Sequence, residues 1–199
     1  MKPLTVLALS GSLRKASLNT AMLAMAADCA PSGLRVNIHR SLGDLPLFNP
    51  DLEAHEPAAV ARLRREIFTA DAVLIASPEY AHGISGVMKN SLDWMVATGV
   101  FVAKPVVLWN ASPRASHALA AMRETLTVMS ARLIAEASLE LLINPPEAGT
   151  VPANPNPEAM RQALLFLRNE LLAERTRSAS EMKVKGYAAP GFPVSPETT

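Results

Sequence analysis

A run of hydrogen-bonding side chains follows the first apolar stretch of the chain. Residues 10–19 read SGSLRKASLN and combine three serines, an arginine and an asparagine around Gly11. Hydroxyl, guanidinium and amide donors suit a phosphate, which offers several acceptor oxygens. If a helix begins within this turn, its unpaired N–H groups and positive dipole end also favour an anion. The residues that we expect to bind the phosphate are Ser10, Ser12, Arg14, Ser17 and Asn19.

Three other phosphate motifs do not match this turn. A nucleotide P-loop needs GxxxxGK[ST], which is missing, and a dinucleotide fingerprint needs three glycines where only Gly11 is present. A phosphatase with a thiol nucleophile needs a cysteine in the loop, whereas Cys29 lies inside the following predicted helix. An ordinary turn with Ser17 as the helix N-cap is an alternative, but it accounts for one serine only. The phosphate interpretation is therefore favoured.

A second turn, residues 77–94, reads SPEYAHGISGVMKNSLDW and also follows an apolar run. Pro78, Gly83 and Gly86 shape a loop with exposed N–H groups, and Tyr80 offers a flat face. Such a surface suits a planar heterocycle with carbonyl and ring-nitrogen acceptors. Packing alone is an ordinary alternative for Tyr80.

The sequence contains no convincing side-chain catalyst and no expected metal site. Its histidines are scattered without ligand spacing, at positions 39, 55, 82 and 117. Glu79 is a poor candidate for a base, because its charge beside a predicted anion site would oppose the ligand. The residues alone therefore assign no catalytic group.

The elements that position both turns can be read from hydrophobic patterns. Apolar runs at 4–9, 72–76 and 105–109 predict strands buried on both faces. The apolar residues of 34–38 alternate with polar ones, which predicts an edge strand. A weaker apolar run at 139–143 is the candidate for the fifth strand. Helices are predicted at residues 18–30, 57–70, 86–97, 115–130 and 157–175. The fold class is α/β: a flavodoxin-like three-layer sandwich around a five-stranded parallel sheet, for which right-handed crossovers would give the order 2-1-3-4-5. That order places both turns at one crevice.

Composition limits the classes of function. The chain has 199 residues, 49% of them hydrophobic, and its 19 basic and 18 acidic side chains leave a net charge of +1. This balance gives no electrostatic reason to expect nucleic acid or an anionic membrane as a partner. No run is long enough to span a membrane, the apolar run at 4–9 is too short for a signal peptide, and Cys29 allows no internal disulfide. We expect a cytoplasmic protein.

The domain organisation is expected to be simple. We expect one domain over residues 1–176, with the last helix capped by Asn156 and Pro157. Residues 177–199 show no helical period and are expected to form a frayed tail. The alternative is an arm laid on a partner subunit, anchored by Tyr187 and Phe192.

Both turns resemble motifs of the NADPH-dependent FMN reductase family, a flavodoxin-like group that includes quinone, azo-dye and chromate reductases. Residues 11–19 are similar to its GSxRxxSxN phosphate loop, residues 78–94 to its PEYxxxxxGxxKNxxDW segment, and residues 43–53 to the stretch after its second strand. The resemblance covers residues 3–135. The chain departs from many members at Ala81 and Ser85, which replace Asn and Pro, and after the fourth strand, where NASPRASHA replaces a glycine-containing loop.

The resemblance implies that the chain binds FMN. The implied cofactor-binding residues are Ser10, Ser12, Leu13, Arg14, Ser17 and Asn19 at the phosphate, Pro78, Glu79, Tyr80, Ala81, His82 and Gly83 along the ring, and Asn110 and Ser112 at the pyrimidine side. No side chain is implied as catalytic, since flavin N5 is the reactive centre.

The implied activity is an NADPH-dependent reductase that passes hydride to FMN and on to a small-molecule acceptor: a quinone, azo dye, metal oxyanion or free flavin. A homodimer or homotetramer is implied, with the helix at 86–97 as the candidate dimer surface. A non-enzymatic flavin-binding electron-transfer or sensor protein is one alternative. A Rossmann enzyme that binds NADP through His39 and Arg40 at its 2′-phosphate is the other.

Overall fold

Buried apolar strands build the centre of the molecule. A computed structural model describes residues 2–112, 115–143 and 156–184. Its long strands are β1 (Leu4–Ser10), β2 (Leu34–His39), β3 (Ala72–Ala76) and β6 (Pro105–Asn110), and a hairpin of β4 (Glu79–Tyr80) and β5 (Gly83–Ile84) lies outside the sheet. Every residue of β3 and β6 is buried, as expected for strands covered on both faces, whereas β2 alternates as an edge strand should.

The sheet order confirms the predicted fold class. The strands are arranged β2-β1-β3-β6-β7, and all pairs in this sheet are parallel. The carboxyl ends of β1 and β3 are neighbours, because Ser10 pairs with Ala76. The turns that follow these two strands therefore begin side by side.

The fifth strand differs from its prediction. Two short strands replace the expected run at 139–143: β7 (Arg132–Leu133) pairs with the start of β6, and β8 (Leu139–Glu140) pairs with its end. A 3₁₀ turn over Ala135–Ala137 separates them. In this interruption Ser138 Oγ accepts the N–H of Leu108 at 3.3 Å, and Ala137 O accepts Trp109 Nε1–H at 2.9 Å. These two bonds replace ladder bonds where the chain leaves the sheet.

Helices cover both faces of the sheet, and four of them lie within one or two residues of their predicted bounds. They are α1 (Leu18–Asp28), α2 (Ala58–Thr69), α3 (Gly86–Val96), α4 (Ser116–Val128) and α5 (Pro157–Val184), with 3₁₀ turns at Leu42–Asp44 and Pro50–His55. Alternate residues of β1 serve the two cores: Val6 and Ala8 pack with α1 and α5, while Leu7 and Leu9 pack with α2, α3 and α4. This arrangement is the expected three-layer sandwich.

The last helix is longer than predicted. It begins at the predicted cap, where Asn156 Oδ1 accepts the N–H of Ala159 at 2.9 Å, but it continues to Val184. The prediction that 177 onward is irregular is therefore wrong for 177–184, which contain no glycine or proline to end a helix. Residues 185–199, including Tyr187 and Phe192, lie outside the described residues.

Within the described ranges, the helices are all too short or too polar to cross a membrane.

Candidate active-site cleft at the strand ends

The turn after β1 is organised by its own serines. Ser17 is the N-cap of α1, and its hydroxyl accepts the N–H of Thr20 at 3.2 Å. Ser10 Oγ lies 2.7 Å from Thr20 Oγ1 and accepts the N–H of Ser12 at 3.3 Å. The N-cap alternative thus holds for Ser17, and the loop is held in a shape that leaves the first-turn N–H groups of α1 without helical partners.

Asn19 is the residue of this turn that most clearly lacks a partner. The residue is only 9% exposed, and its buried Oδ1 makes no hydrogen bond with any described residue. A buried polar atom left in this state costs about 1–3 kcal/mol, so the position favours a ligand. The amide could also turn over and present its N–H₂ group instead, since both ends are of similar size.

Asn19 faces a cleft that three turns share. The cleft has a volume of about 280 Å³ and is lined by Leu18 and Asn19 from the first turn, Ser77, Pro78 and Glu79 from the second, and Asn110, Ala111, Ser112 and Ala115 from the third. The structure therefore brings together five of the predicted site residues, which are Asn19, Pro78, Glu79, Asn110 and Ser112. They meet at the carboxyl ends of β1, β3 and β6, where open α/β sheets bind ligands.

Glu79 has a role that sequence reasoning missed. Its Oε2 accepts the N–H of Ala118 at 2.8 Å, in the first turn of α4. The N-cap position of α4 is Ala115, which has no side chain that can cap, so Glu79 supplies the missing acceptor from another loop. A carboxylate at this end of a helix is also stabilised by the helix dipole. No local sequence signal marks a partner 39 residues away.

The hairpin after Glu79 contains a strained turn. Ala81 and His82 adopt φ angles of 48° and 61°, and they connect the Tyr80–Gly83 pair as a two-residue turn. This left-handed conformation costs a non-glycine residue about 1–2 kcal/mol. Asparagine tolerates it better than alanine, which gives a physical reason for the asparagine that many relatives carry at position 81. The strain lies beside the cleft, as is common at functional sites.

A buried hydroxyl joins the first two turns. Ser85 Oγ donates to Gly11 O at 2.6 Å and also accepts the N–H of Met88 at 3.4 Å as the N-cap of α3. Ser77 Oγ lies 3.2 Å from Ser85 Oγ. A side chain at Gly11 would place a Cβ 2.7 Å from Ser77 Cβ and 2.9 Å from Ser85 Oγ, so the close approach requires glycine. The serine that replaces a family proline at position 85 thus ties the turns together.

The end of the second motif supports the fold and does not line the cleft. Asn90 Nδ2 and Trp94 Nε1 both donate to Pro46 O, at 3.0 and 2.8 Å, and Asn90 Oδ1 accepts the N–H of Phe48. The rings of Phe48 and Trp94 meet edge to face at 5.1 Å. This part of the motif therefore anchors residues 46–48, within the third stretch on which the resemblance was based.

The third turn is shaped by a buried asparagine. Asn110 Oδ1 accepts the N–H of Ser112 at 3.0 Å, which closes a tight turn at the end of β6. Pro113 and Arg114 lie outside the described residues.

The remaining predicted residues surround the cleft without lining it. Leu13, Arg14 and Tyr80 line a neighbouring groove of about 390 Å³. The His82 ring stacks on that of His117 with 4.2 Å between centroids, so it packs against α4. Ala81 is exposed at the hairpin tip, and Gly83 pairs with Tyr80. Within the described part of the chain, no three His, Cys, Asp or Glu side chains converge on a metal site.

Comparison with known proteins finds similar reductases. A reductase of Pseudomonas aeruginosa described as NAD(P)H-dependent FMN reductase is 40% identical over 110 residues, 54% of this chain and 59% of that protein. A quinone reductase of Escherichia coli is 36% identical over 113 residues, 55% of this chain and 60% of that protein. The chain thus spans about three fifths of the length of these two curated relatives.

Solved structures extend the likeness to the fold. The flavoenzyme NAD(P)H:(acceptor) oxidoreductase of Paracoccus denitrificans superposes with a TM-score of 0.64 and 28% identity, over 85% of this chain and 93% of that one. A flavodoxin from the domain Archaea gives 0.59 at 13% identity, over 84% and 99% of the two chains, and supports the fold alone. The family model for NADPH-dependent FMN reductase matches residues 4–140, which include all three turns. The chain therefore belongs to the NADPH-dependent FMN reductase family, as its two motifs predicted.

Proposed function

We propose that this chain is an FMN-containing oxidoreductase that uses a nicotinamide nucleotide to reduce a small-molecule acceptor. The observation that carries the proposal is the cleft at the ends of β1, β3 and β6, which is lined by Asn19, a residue whose buried Oδ1 has no partner among the described residues. Membership of the family and the names of the relatives support the same activity.

The residues of the cleft fit FMN chemically. The first-turn N–H groups of α1 and the hydroxyls of the same loop suit a phosphate. Asn19 Oδ1 would accept a hydrogen bond from a ligand hydroxyl, which a ribityl chain offers, and the amide could instead donate if turned over. Pro78 and Glu79 provide a wall of backbone on which a flat ring would lie.

The protein's own part in the reaction is positioning. FMN, when bound, supplies the hydride-accepting centre at N5, so no protein nucleophile is required. The carboxylate of Glu79 is engaged by the N–H of Ala118 and fixes the hairpin to α4. Ser85 holds the first turn against the second through Gly11 O. Both contacts keep the walls of the cleft in one arrangement before ligand arrives, which is how a protein pre-organises a cofactor.

Several finer features belong to the same proposal. The acceptor is a quinone, the substrate named for one of the relatives, with an azo dye, metal oxyanion or free flavin as rival acceptors. The chain acts in the cytoplasm, where a single cysteine stays reduced. It assembles as a homodimer or homotetramer with α3 at the subunit contact, and sedimentation velocity distinguishes these states from a monomer.

Flavin binding is the first test. The purified chain mixed with FMN should show a bound-flavin absorption spectrum and quench flavin fluorescence. An Asn19→Ala variant should weaken FMN affinity about tenfold, because it removes a hydrogen bond inside a buried site. The matched control is Asn37→Ala, since Asn37 is exposed on β2 and lies away from the cleft. A chain that does not bind FMN, or an Asn19→Ala variant with unchanged affinity, would contradict the assignment.

Turnover is the second test. The FMN-loaded protein should oxidise NADPH when benzoquinone, an azo dye, chromate or free flavin is supplied, with benzoquinone the fastest. Flavin that is reduced only by a protein partner, without NADPH oxidation, would identify the electron-transfer or sensor alternative and overturn the enzyme proposal.

A further inference from the structure

A second cleft lies on the β2 side of the first turn. It encloses about 560 Å³, within the range of small-molecule sites. One wall is the first turn with Ser10, Ser12, Arg14 and Lys15, and the other contains His39 and Arg40 at the end of β2. The two clefts share a loop, because residues 10 and 12–15 line this one and residues 18–19 line the first.

The charge of this second cleft is positive. Arg14, Lys15 and Arg40 line it and are exposed, and none of them has a side-chain hydrogen bond or ion pair with a described residue. No carboxylate lines it among the described residues. Three unopposed cations around a concave surface create a potential that attracts an anion. Two of the cations are guanidinium groups, which match the oxygens of a phosphate in paired hydrogen bonds.

The wall that carries Arg40 is fixed by a hydrogen-bond network around the buried ring of His39. His39 Nδ1 lies 2.7 Å from Glu66 Oε2, and its Nε2 lies 3.1 Å from Ser41 Oγ. Arg62 donates to the same Ser41 oxygen at 2.8 Å. Both ring nitrogens of His39 are therefore occupied, so His39 positions the neighbouring backbone while Arg40 is left to meet a ligand.

We propose that this cleft binds the 2′-phosphate of NADPH, and that Arg40 thereby makes the enzyme prefer NADPH to NADH. The inference rests on the proposed function, since it assigns the nucleotide's phosphorylated end to a site beside the flavin cleft. NADPH differs from NADH by one phosphate ester, which is the chemistry that this cleft fits. The FMN phosphate shares that chemistry, and the experiment separates the two sources.

Binding is measured with adenosine 2′,5′-bisphosphate as the probe and 5′-AMP as the reference, by calorimetric titration of the FMN-loaded chain. The bisphosphate should bind more tightly than 5′-AMP, and Arg40→Gln should weaken it about tenfold while 5′-AMP changes little. The matched control is Arg35→Gln, which removes the same charge from the exposed face of the same strand and should leave both affinities unchanged. Equal losses in both variants would reduce the effect to net charge and overturn the site.

Kinetics and flavin affinity complete the test. The ratio of kcat/KM for NADPH to that for NADH should fall about tenfold in Arg40→Gln and stay constant in Arg35→Gln. The affinity for FMN should stay within twofold in Arg40→Gln. A loss of FMN affinity as large as the loss of bisphosphate affinity would assign the cleft to the flavin phosphate and overturn the inference. A chain that binds the bisphosphate through Arg40 but does not bind FMN would refute the proposed function and retain the phosphate site.

Discussion

The contact between Glu79 and α4 can be tested by removing it in two steps. Glu79→Ala deletes the acceptor for the N–H of Ala118 and leaves the first turn of α4 without a side-chain cap. Loss of such a cap costs about 0.5–2 kcal/mol, and loss of the carboxylate charge at the helix end adds about 0.3–1 kcal/mol. Glu79→Gln keeps an acceptor oxygen and loses only the charge, so its cost should be about 0.5 kcal/mol.

Thermal unfolding and turnover are both needed to interpret these variants. For a chain of this size, 1 kcal/mol corresponds to a change in Tm of about 2–4 °C, so Glu79→Ala should lower Tm by about 2–12 °C and Glu79→Gln by about 1–2 °C. The matched control is Glu124→Ala, on the exposed face of the same helix, which should change Tm by less than about 2 °C. The variant that loses more stability should also lose more FMN affinity, because the segment that carries Pro78 and Tyr80 loosens.

One result would refute the positioning role of Glu79. If Glu79→Gln abolished turnover while Tm and FMN affinity stayed at their original values, the carboxylate would be transferring a proton. The hydrogen bond to Ala118 would then be incidental to the reaction. The expected result is a kcat for Glu79→Gln close to that of the unmodified chain.

Three further changes should alter stability in defined directions. Ala81→Gly should raise Tm by about 1–4 °C. The free energy gained by removing the left-handed strain exceeds the free-energy cost of the extra entropy that glycine gives the unfolded chain. A lower Tm would show that the turn is unstrained. Ser85→Ala should lower the free energy of unfolding by about 1–3 kcal/mol in a denaturant titration, because Gly11 O loses its buried donor and α3 loses its cap. A loss below about 0.5 kcal/mol, which is typical of a surface substitution, would contradict this. The hydrogen bond from Arg64 holds the pKa of Glu56 below its usual value of 4.5, so this pair stabilises the fold above that pH and the stabilisation is lost as pH falls through the lowered pKa. Glu56→Gln should therefore lower stability by at most about 1 kcal/mol at neutral pH and make no difference once acid has protonated Glu56, and a loss that persists after that protonation would contradict the assignment.

The sheet could be predicted because burial on both faces leaves an unambiguous pattern. Residues 72–76 and 105–109 are apolar without interruption, and the structure buries both runs completely. The fifth strand was harder to predict, because the position where the chain leaves the sheet depends on Ser138 and Trp109 finding partners in other elements. Such contacts have no periodic signature in the sequence.

The last helix illustrates a different limit. A shift toward polar residues after position 176 ended the apolar period, but helix continuation requires only the absence of a breaking residue. The first such residue is Gly186, beyond the observed end at Val184. Loss of amphipathic pattern marks where a helix leaves the core, and the helix itself can continue into solvent.

The candidate site was predicted in its parts and not in its connections. The sequence shows the polar turns directly. Their meeting at one crevice follows from the predicted strand order, because open α/β sheets bind ligands at the carboxyl ends of neighbouring strands. The bonds from Glu79 to Ala118 and from Ser85 to Gly11 join a side chain to a distant main chain, and any residue type can offer the main-chain partner. The sequence therefore predicted five of the residues that line the cleft but not the bonds that hold the cleft in shape.

The bond between Ser85 and Gly11 has a consequence for the order of folding. It closes a loop of 74 residues between the ends of β1 and β3, and the contact of Glu79 with Ala118 closes one of 39 residues between the ends of β3 and β6. Each bond therefore depends on the pairing of two strands that are distant in the sequence. We expect both side-chain contacts to be absent from the folding transition state, because each joins groups that the assembled sheet has to bring together first. A ligand that bridges the three turns should therefore slow unfolding while leaving the folding rate almost unchanged. Its benefit to the cell would then be a longer lifetime of the folded molecule.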